Sequence, residues 1–353
     1  MNLYGNVASI LLLTTLPVMG ANVSESYSDS ARVVTHDYVH LTTDVRVDWQ
    51  NTWRDGNTEN DNSGFEGKYF MFRVDGEIVP GLTYSWRQRL NKMHSDATFF
   101  DATDWVYLDY SWKRFNFSAG KEVVAIGGWE YDCYPVNIYS ASVFWNNIGC
   151  FQLGAQAGMR LGKGSQLSFQ VVQSPFHTSD NRNLYGYNLF WNGKYGIFHA
   201  LWSANMMQYA EGKYISYLSL GNRFDLGNVA VELDLMNRAA SHQTFFGKDM
   251  TVVGQVAYRP NPAWRVHAKY TYDVNKSGTN ADLCVLNGTE LNMIGGGVEF
   301  YPLRKRRTNL RLHANCFYSW GKNANTADIM QSKTTVLDFG VTWTMDVFSV
   351  KRK

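Results

Sequence analysis

The feature that most constrains this chain is a period-two alternation of apolar and polar side chains, repeated in segments of about ten residues. Val39, Leu41, Val45, Val47 and Trp49 alternate with His40, Thr42, Asp44, Arg46 and Asp48. Trp264, Val266, Ala268, Tyr270 and Tyr272 alternate with Arg265, His267, Lys269 and Thr271. Leu310, Leu312, Ala314, Cys316, Tyr318 and Trp320 alternate with Asn309, Arg311, His313, Asn315 and Ser319. Successive side chains of a strand point to opposite faces, so each segment has one oily and one wet face. About ten residues is also the length of a tilted strand crossing a bilayer.

A soluble sandwich alternates in the same way, and two further features separate it from a membrane barrel. Aromatic residues gather near segment ends, as in Trp49 and Trp53, Trp105 to Trp112, Trp264 and Tyr301, where interfacial girdles place them. The connections also alternate between short and long. Short links fall near Pro80-Gly81, Lys113-Arg114, Gly162-Lys163-Gly164, Asn192-Gly193-Lys194, Asp225-Leu226, Arg259 to Pro262 and Pro302 to Arg307. Long ones fall near 54–66, 91–103, 122–150, 174–184, 207–212, 238–248, 275–290 and 321–333. The strands between them run near 38–53, 67–78, 81–90, 104–112, 115–121, 151–161, 165–173, 185–192, 195–206, 213–224, 227–237, 249–259, 263–274, 291–301, 308–320 and 334–346. This pattern predicts an all-β fold, a 16-stranded antiparallel transmembrane β-barrel with both termini on one side of the membrane. Residues 21–353 read as one domain.

Composition narrows the rest. Mean hydropathy is −0.31, and no run approaches the roughly 18 apolar residues of a helical span. The one long apolar run, Val7 to Met19, has the length of a secretory h-region, so residues 1–20 read as a signal peptide, although no Lys or Arg precedes the run. The net charge of +2 argues against nucleic acid as a partner. Cys133, Cys150, Cys284 and Cys316 lack metal-ligand spacing, and neither a metal nor a cofactor is expected. Cys133 and Cys150 lie in one loop and either pair or stay free. There is no nucleophile elbow, phosphate loop or His-Glu-x-x-His helix. His177-Thr178-Ser179-Asp180 is ordinary loop composition, so an enzyme is not expected.

The longest connection holds Ala119-Gly120-Lys121-Glu122, then Gly127-Gly128-Trp129-Glu130-Tyr131-Asp132 and Pro135. With the preceding Phe100 to Tyr110 stretch, it resembles the phosphate-selective porin O and P-like family, in its Bacteroidetes branch. The resemblance covers about 99–140 and is architectural elsewhere. It implies a trimeric, water-filled diffusion channel in a Gram-negative outer membrane, whose long third loop folds into the lumen. Such a channel passes small hydrophilic solutes or anions and contacts outer-membrane lipid and lipopolysaccharide. Phosphate selectivity does not carry over, because no lysine- and arginine-rich lumen aligns residue by residue.

The polar half of each alternation supplies the expected pore lining: Arg46, Arg73, Arg87, Arg89, Arg160, Arg265, Lys269 and Arg311. Lys121, Glu122, Glu130 and Asp132 are candidates for a constriction. Rings of such charge set ion preference, whereas singly each one simply solvates the inner face or pairs with a neighbour. Glu130 and Asp132 equally suit a loop cap or a calcium site. The competing functions are a substrate-specific channel for sugars or oligopeptides, marked by lumenal aromatics, and more remotely a barrel enzyme.

Overall fold

The computed structural model describes residues 37–92, 98–162, 164–303, 310–326 and 333–351. The expected signal peptide at 1–20 and the basic turn Arg304-Lys305-Arg306-Arg307 lie outside these residues.

The strands are β1 (Asp37–Arg54), β2 (Asn57–Thr58), β3 (Gly64–Val79), β4 (Leu82–Arg89), β5 (Thr103–Trp112) and β6 (Phe115–Val123). After a long connection follow β7 (Phe151–Gly162), β8 (Ser165–Gln173), β9 (Tyr185–Tyr195), β10 (Phe198–Ala210), β11 (Lys213–Leu226) and β12 (Val229–Ala240). The last are β13 (Asp249–Asn261), β14 (Trp264–Asn275), β15 (Glu290–Phe300), β16 (Leu310–Lys322) and β17 (Thr334–Lys351). β2 is a two-residue arm folded back on Trp53 and Arg54. The other sixteen pair antiparallel in chain order, and β1 pairs with both β3 and β17, closing the barrel. Each of the sixteen expected strands overlaps one of these.

Closure pairs both edges of the sheet, so the described strands leave no open edge, the condition for spanning a membrane with strands. The alternation sorts as expected. On β5, Val106, Leu108, Tyr110 and Trp112 are exposed, as are Leu233 and Leu235 on β12 and Val266 and Tyr270 on β14. On β1 the intervening Thr42, Asp44, Arg46 and Asp48 are buried, as are Arg311, His313 and Asn315 on β16.

Three connections depart from expectation. Asp225-Leu226, expected as a link, end β11, and the chain turns at Gly227-Asn228 instead. The link expected at Asn192 to Lys194 is strand, with Gly193 lying beneath the rings of Trp191 and Tyr195; the chain reverses at Gly196, at φ 59°. The link expected to be long at 207–212 is only Glu211-Gly212, because Met207 to Ala210 continue β10.

The closure seam is tight. Gly340 on β17 stands between Asp48 and His313 in the register. A Cβ there would lie 2.2 Å from Asp48 Oδ1 and 2.6 Å from His313 Nε2. Gly340→Ala should therefore destabilise the barrel by about 1–3 kcal/mol, as overpacking does. Urea unfolding in detergent micelles checks this, and an unchanged midpoint would contradict it.

Candidate functional site: the 124–150 segment and the inner wall

The connection between β6 and β7 carries two short helices, α1 (Trp129–Asp132) and α2 (Val143–Asn147). Its entry, Gly127-Gly128, runs against the wall of β10 and β11. A Cβ on Gly127 would lie 2.4 Å from Leu201 O, and one on Gly221 would meet the Gly128 backbone at 2.7 Å. Only glycines allow two main chains to approach so closely. Each helix start leaves unpaired N–H groups, and each is met by a barrel aspartate. Asp234 accepts Trp129 N and Glu130 N at 2.8 Å each, and Asp273 accepts Val143 N at 2.9 Å.

The same segment bonds to much of the wall. Ala125 N donates to Gln170 on β8, and Gly127 N to Ser203 on β10, both at 2.8 Å. Ser219 on β11 donates to Gly127 O at 2.7 Å. Lys269 on β14 donates to Glu130 and to Ser140 O, each at 2.6 Å. Arg311 on β16 reaches Asn137 Oδ1 at 2.7 Å and Val136 O at 2.9 Å. Arg46 on β1 reaches Ile138 O at 2.6 Å, and Tyr134 donates to Asp44 of the same strand.

Tyr139 is the hub. Its ring stacks on His267 (5.4 Å, 13°), meets His313 at 4.7 Å and lies 4.6 Å beneath the Arg46 guanidinium. Its hydroxyl donates to Glu299 at 2.8 Å. Burial pushes the Tyr134 and Tyr139 hydroxyls well above the usual phenol range, so both stay protonated donors. One flank of the segment is dry: Val124, Ile126, Val143, Phe144 and Ile148 pack with Met207, Ile215, Tyr217, Met236, Cys284 and Val285.

Most of the charged residues singled out in the sequence are held in ion pairs. Arg46 binds Asp48 at 2.6 Å, and Arg73 binds Asp75 at 2.7 Å. Arg87 and Arg89 share Asp104 at 2.9 and 3.3 Å, and Arg73 stands opposite Arg87 in the register. Arg87 also lies 3.6 Å from the Trp105 ring. Arg265 and Arg311 face Glu299 at 3.0 and 3.7 Å. Glu122 accepts from Ser118 at 2.7 Å, and Asp132 is buried at the end of α1. Glu130 is taken up by Lys269 and by the Ser142 amide and hydroxyl, which commits it to an ion pair rather than a calcium site. Cys133 and Cys150 are separate thiols.

One expectation needs correction. Lys121 pairs in register with Val106 and Leu153, both exposed on the outer face, and its ammonium binds Phe100 O at 2.8 Å. It is on the opposite face from Ser118 and Glu122 and takes no part in the cluster. Arg160 sits exposed beside a short turn, bonded to Lys113 O, and pairs in register with Gln166, which bonds the buried Asn116 and Ser168, so it stays on the polar face at the turn end of β7. Sequence reasoning passed over Arg238, Arg223 and Tyr139.

The sequence profile described as phosphate-selective porin O and P matches residues 39–342. The chain belongs to this family. No curated protein matches the sequence. Among solved structures, the anion-selective porin from Comamonas acidovorans superposes at a TM-score of 0.64 with 12% identity, over 87% of this chain and 99% of that one. The outer-membrane channel DcaP of Acinetobacter baumannii gives 0.60 and 13%, over 87% and 97%. OmpF of Salmonella typhi, solved with daunomycin, gives 0.60 and 11%, over 88% and 98%. This porin is thus an outer-membrane diffusion channel and not an enzyme.

Proposed function

We propose that this porin is a narrow passive pore for small hydrophilic solutes and ions, with residues 124–150 lying across the lumen as its constriction. The observation that carries this reading is the set of bonds from that one segment to β1, β8, β10, β11, β12, β14 and β16. A sixteen-stranded barrel is otherwise wide enough for an open aqueous channel. Arg46, Arg73, Arg87, Arg89, Arg265, Lys269 and Arg311 give the path a modest anion preference. It is modest because each of these cations already has a carboxylate within 4 Å, and the anion-selective character of the Comamonas porin supports its sign.

In the same reading the chain is exported by residues 1–20, assembles as a homotrimer, and sets its exposed apolar faces against outer-membrane lipid and lipopolysaccharide. The apolar run at Val7 to Met19 and the outward Val, Leu and aromatic side chains support this.

Single-channel recording of the refolded protein in a planar bilayer tests it. The expected result is small conductance in steps of three, with a reversal potential on the anion side of a salt gradient. The preference should weaken as salt screens the wall charges. A folded barrel without conductance, or with cation preference, would overturn the reading.

A further inference from the structure

Lys121 stands on the outer face of β6, yet it is only 9% exposed. Its ammonium donates to Phe100 O at 2.8 Å and lies 4.8 Å from the Phe100 ring. Among the described residues no carboxylate comes within 4.0 Å of it. The nearby acids are committed elsewhere. Asp101 accepts from Thr98 N and Oγ1 at 2.9 and 2.7 Å, and Asp104 binds Arg87 and Arg89. The other charged neighbour is Lys92, an exposed second cation.

Lysine is almost never buried without a counter-charge, and its ammonium carries three donors. Here one donor is used on a neutral carbonyl, so the other two call for an anion with several acceptor oxygens. Position narrows the anion. Lys121 lies two residues from the end of β6, beside the longest connection, and the long connections of such barrels face outside the cell. Toward the short turn, the outer face runs from Lys121 to Ala119, which pairs with Leu108 and Ala155. The two alanines are exposed between the larger Leu108, Phe117 and Leu153, also exposed, and so floor a shallow apolar trough. A cation above an apolar trough matches an amphipathic molecule with an anionic head.

We infer that Lys121, assisted by Lys92, seats the phosphate-bearing headgroup of an outer-leaflet lipid, with an acyl chain lying over Ala119 and Ala155. A phosphate brings three acceptor oxygens to the two remaining N–H groups. The site rests on the proposed reading that the exposed apolar faces meet outer-membrane lipid, and it adds one fixed position to that general contact.

The test is native mass spectrometry of the full barrel released from micelles, titrated with phosphorylated lipid A and separately with the same lipid dephosphorylated. The expected result is one tightly held phosphorylated lipid per barrel. Lys121→Met keeps the apolar stem and removes the charge. It should weaken the phosphorylated lipid about tenfold, the loss of a charge-assisted hydrogen bond or two, and leave the dephosphorylated one unchanged. Ala155→Phe fills the trough and should weaken both lipids about threefold, roughly one buried methylene. Heat-modifiable gel mobility verifies each barrel, and either variant alone suffices if the other misfolds. Equal binding of the two lipids, or binding indifferent to the folded variants, would overturn the site while leaving the general lipid contact intact. Full competition by inorganic phosphate at the lipid's own concentration would overturn the lipid assignment. A barrel that fails to insert into phosphatidylethanolamine and phosphatidylglycerol vesicles would instead overturn the lipid-facing reading itself.

Discussion

Replacing residues 128–147 with a short Gly-Ser linker should raise single-channel conductance about threefold and erase most ion preference, because the barrel alone is wide. The deletion removes both helices and the backbone that bonds to Asp234, Asp273, Arg46 and Arg311. Those side chains would then face water, where charges interact weakly. The cost falls on the dry flank, since Met207, Ile215 and Tyr217 lose their cover. Heat-modifiable mobility therefore has to be checked before recording. A gentler variant, Tyr139→Ala, removes the ring between His267 and His313 and the bond to Glu299. It should give a smaller rise with more open-channel noise. An unchanged conductance in a folded deletion variant would mean that the segment does not restrict the path.

The strands were legible because their signal is local. A residue on β14 reads its face from its immediate neighbours, and Trp264 to Asp273 sort by parity with no long-range knowledge. Legibility failed where a strand end borders a long connection. Parity runs unbroken through Gly120 and sets Lys121 opposite Ser118 and Glu122, but it gives a face only once the residue is recognised as strand. Gly193 failed differently: it reads as a turn, but it is strand because two aromatic rings cross over it. The site was legible only as types of residue. Tyr139 meets His313 and Glu299 across more than 150 positions, and no periodicity encodes such a meeting. Arg238 was missed for the same reason, since one of its carboxylate partners lies on a connection rather than a strand.

Arg238→Met should cost about 3–5 kcal/mol, the penalty for leaving buried charge uncompensated. Arg238 is fully buried on β12 and faces Asp249 at 2.9 Å and Asp282 at 2.7 Å. Its Nη1 donates to Thr251 at 2.9 Å, Thr251 donates to Asp273 at 2.7 Å, and Asp273 accepts the first N–H of α2 at 2.9 Å. Asp282 in turn accepts Cys284 N at 2.8 Å, so one guanidinium ties the 276–289 connection to the barrel and supports α2. Methionine fills similar space without the charge, leaving two carboxylates facing each other. If that repulsion is the main cost, adding Asp249→Asn and Asp282→Asn should recover more than half of the loss. If the cost is lost packing around Phe144, which lies 5.2 Å from the guanidinium, the added changes should recover nothing. Urea unfolding of the three forms in micelles separates these cases. A single-variant loss within about 0.5 kcal/mol, the range of ordinary surface changes, would refute the role of Arg238 as the tie between the two loops.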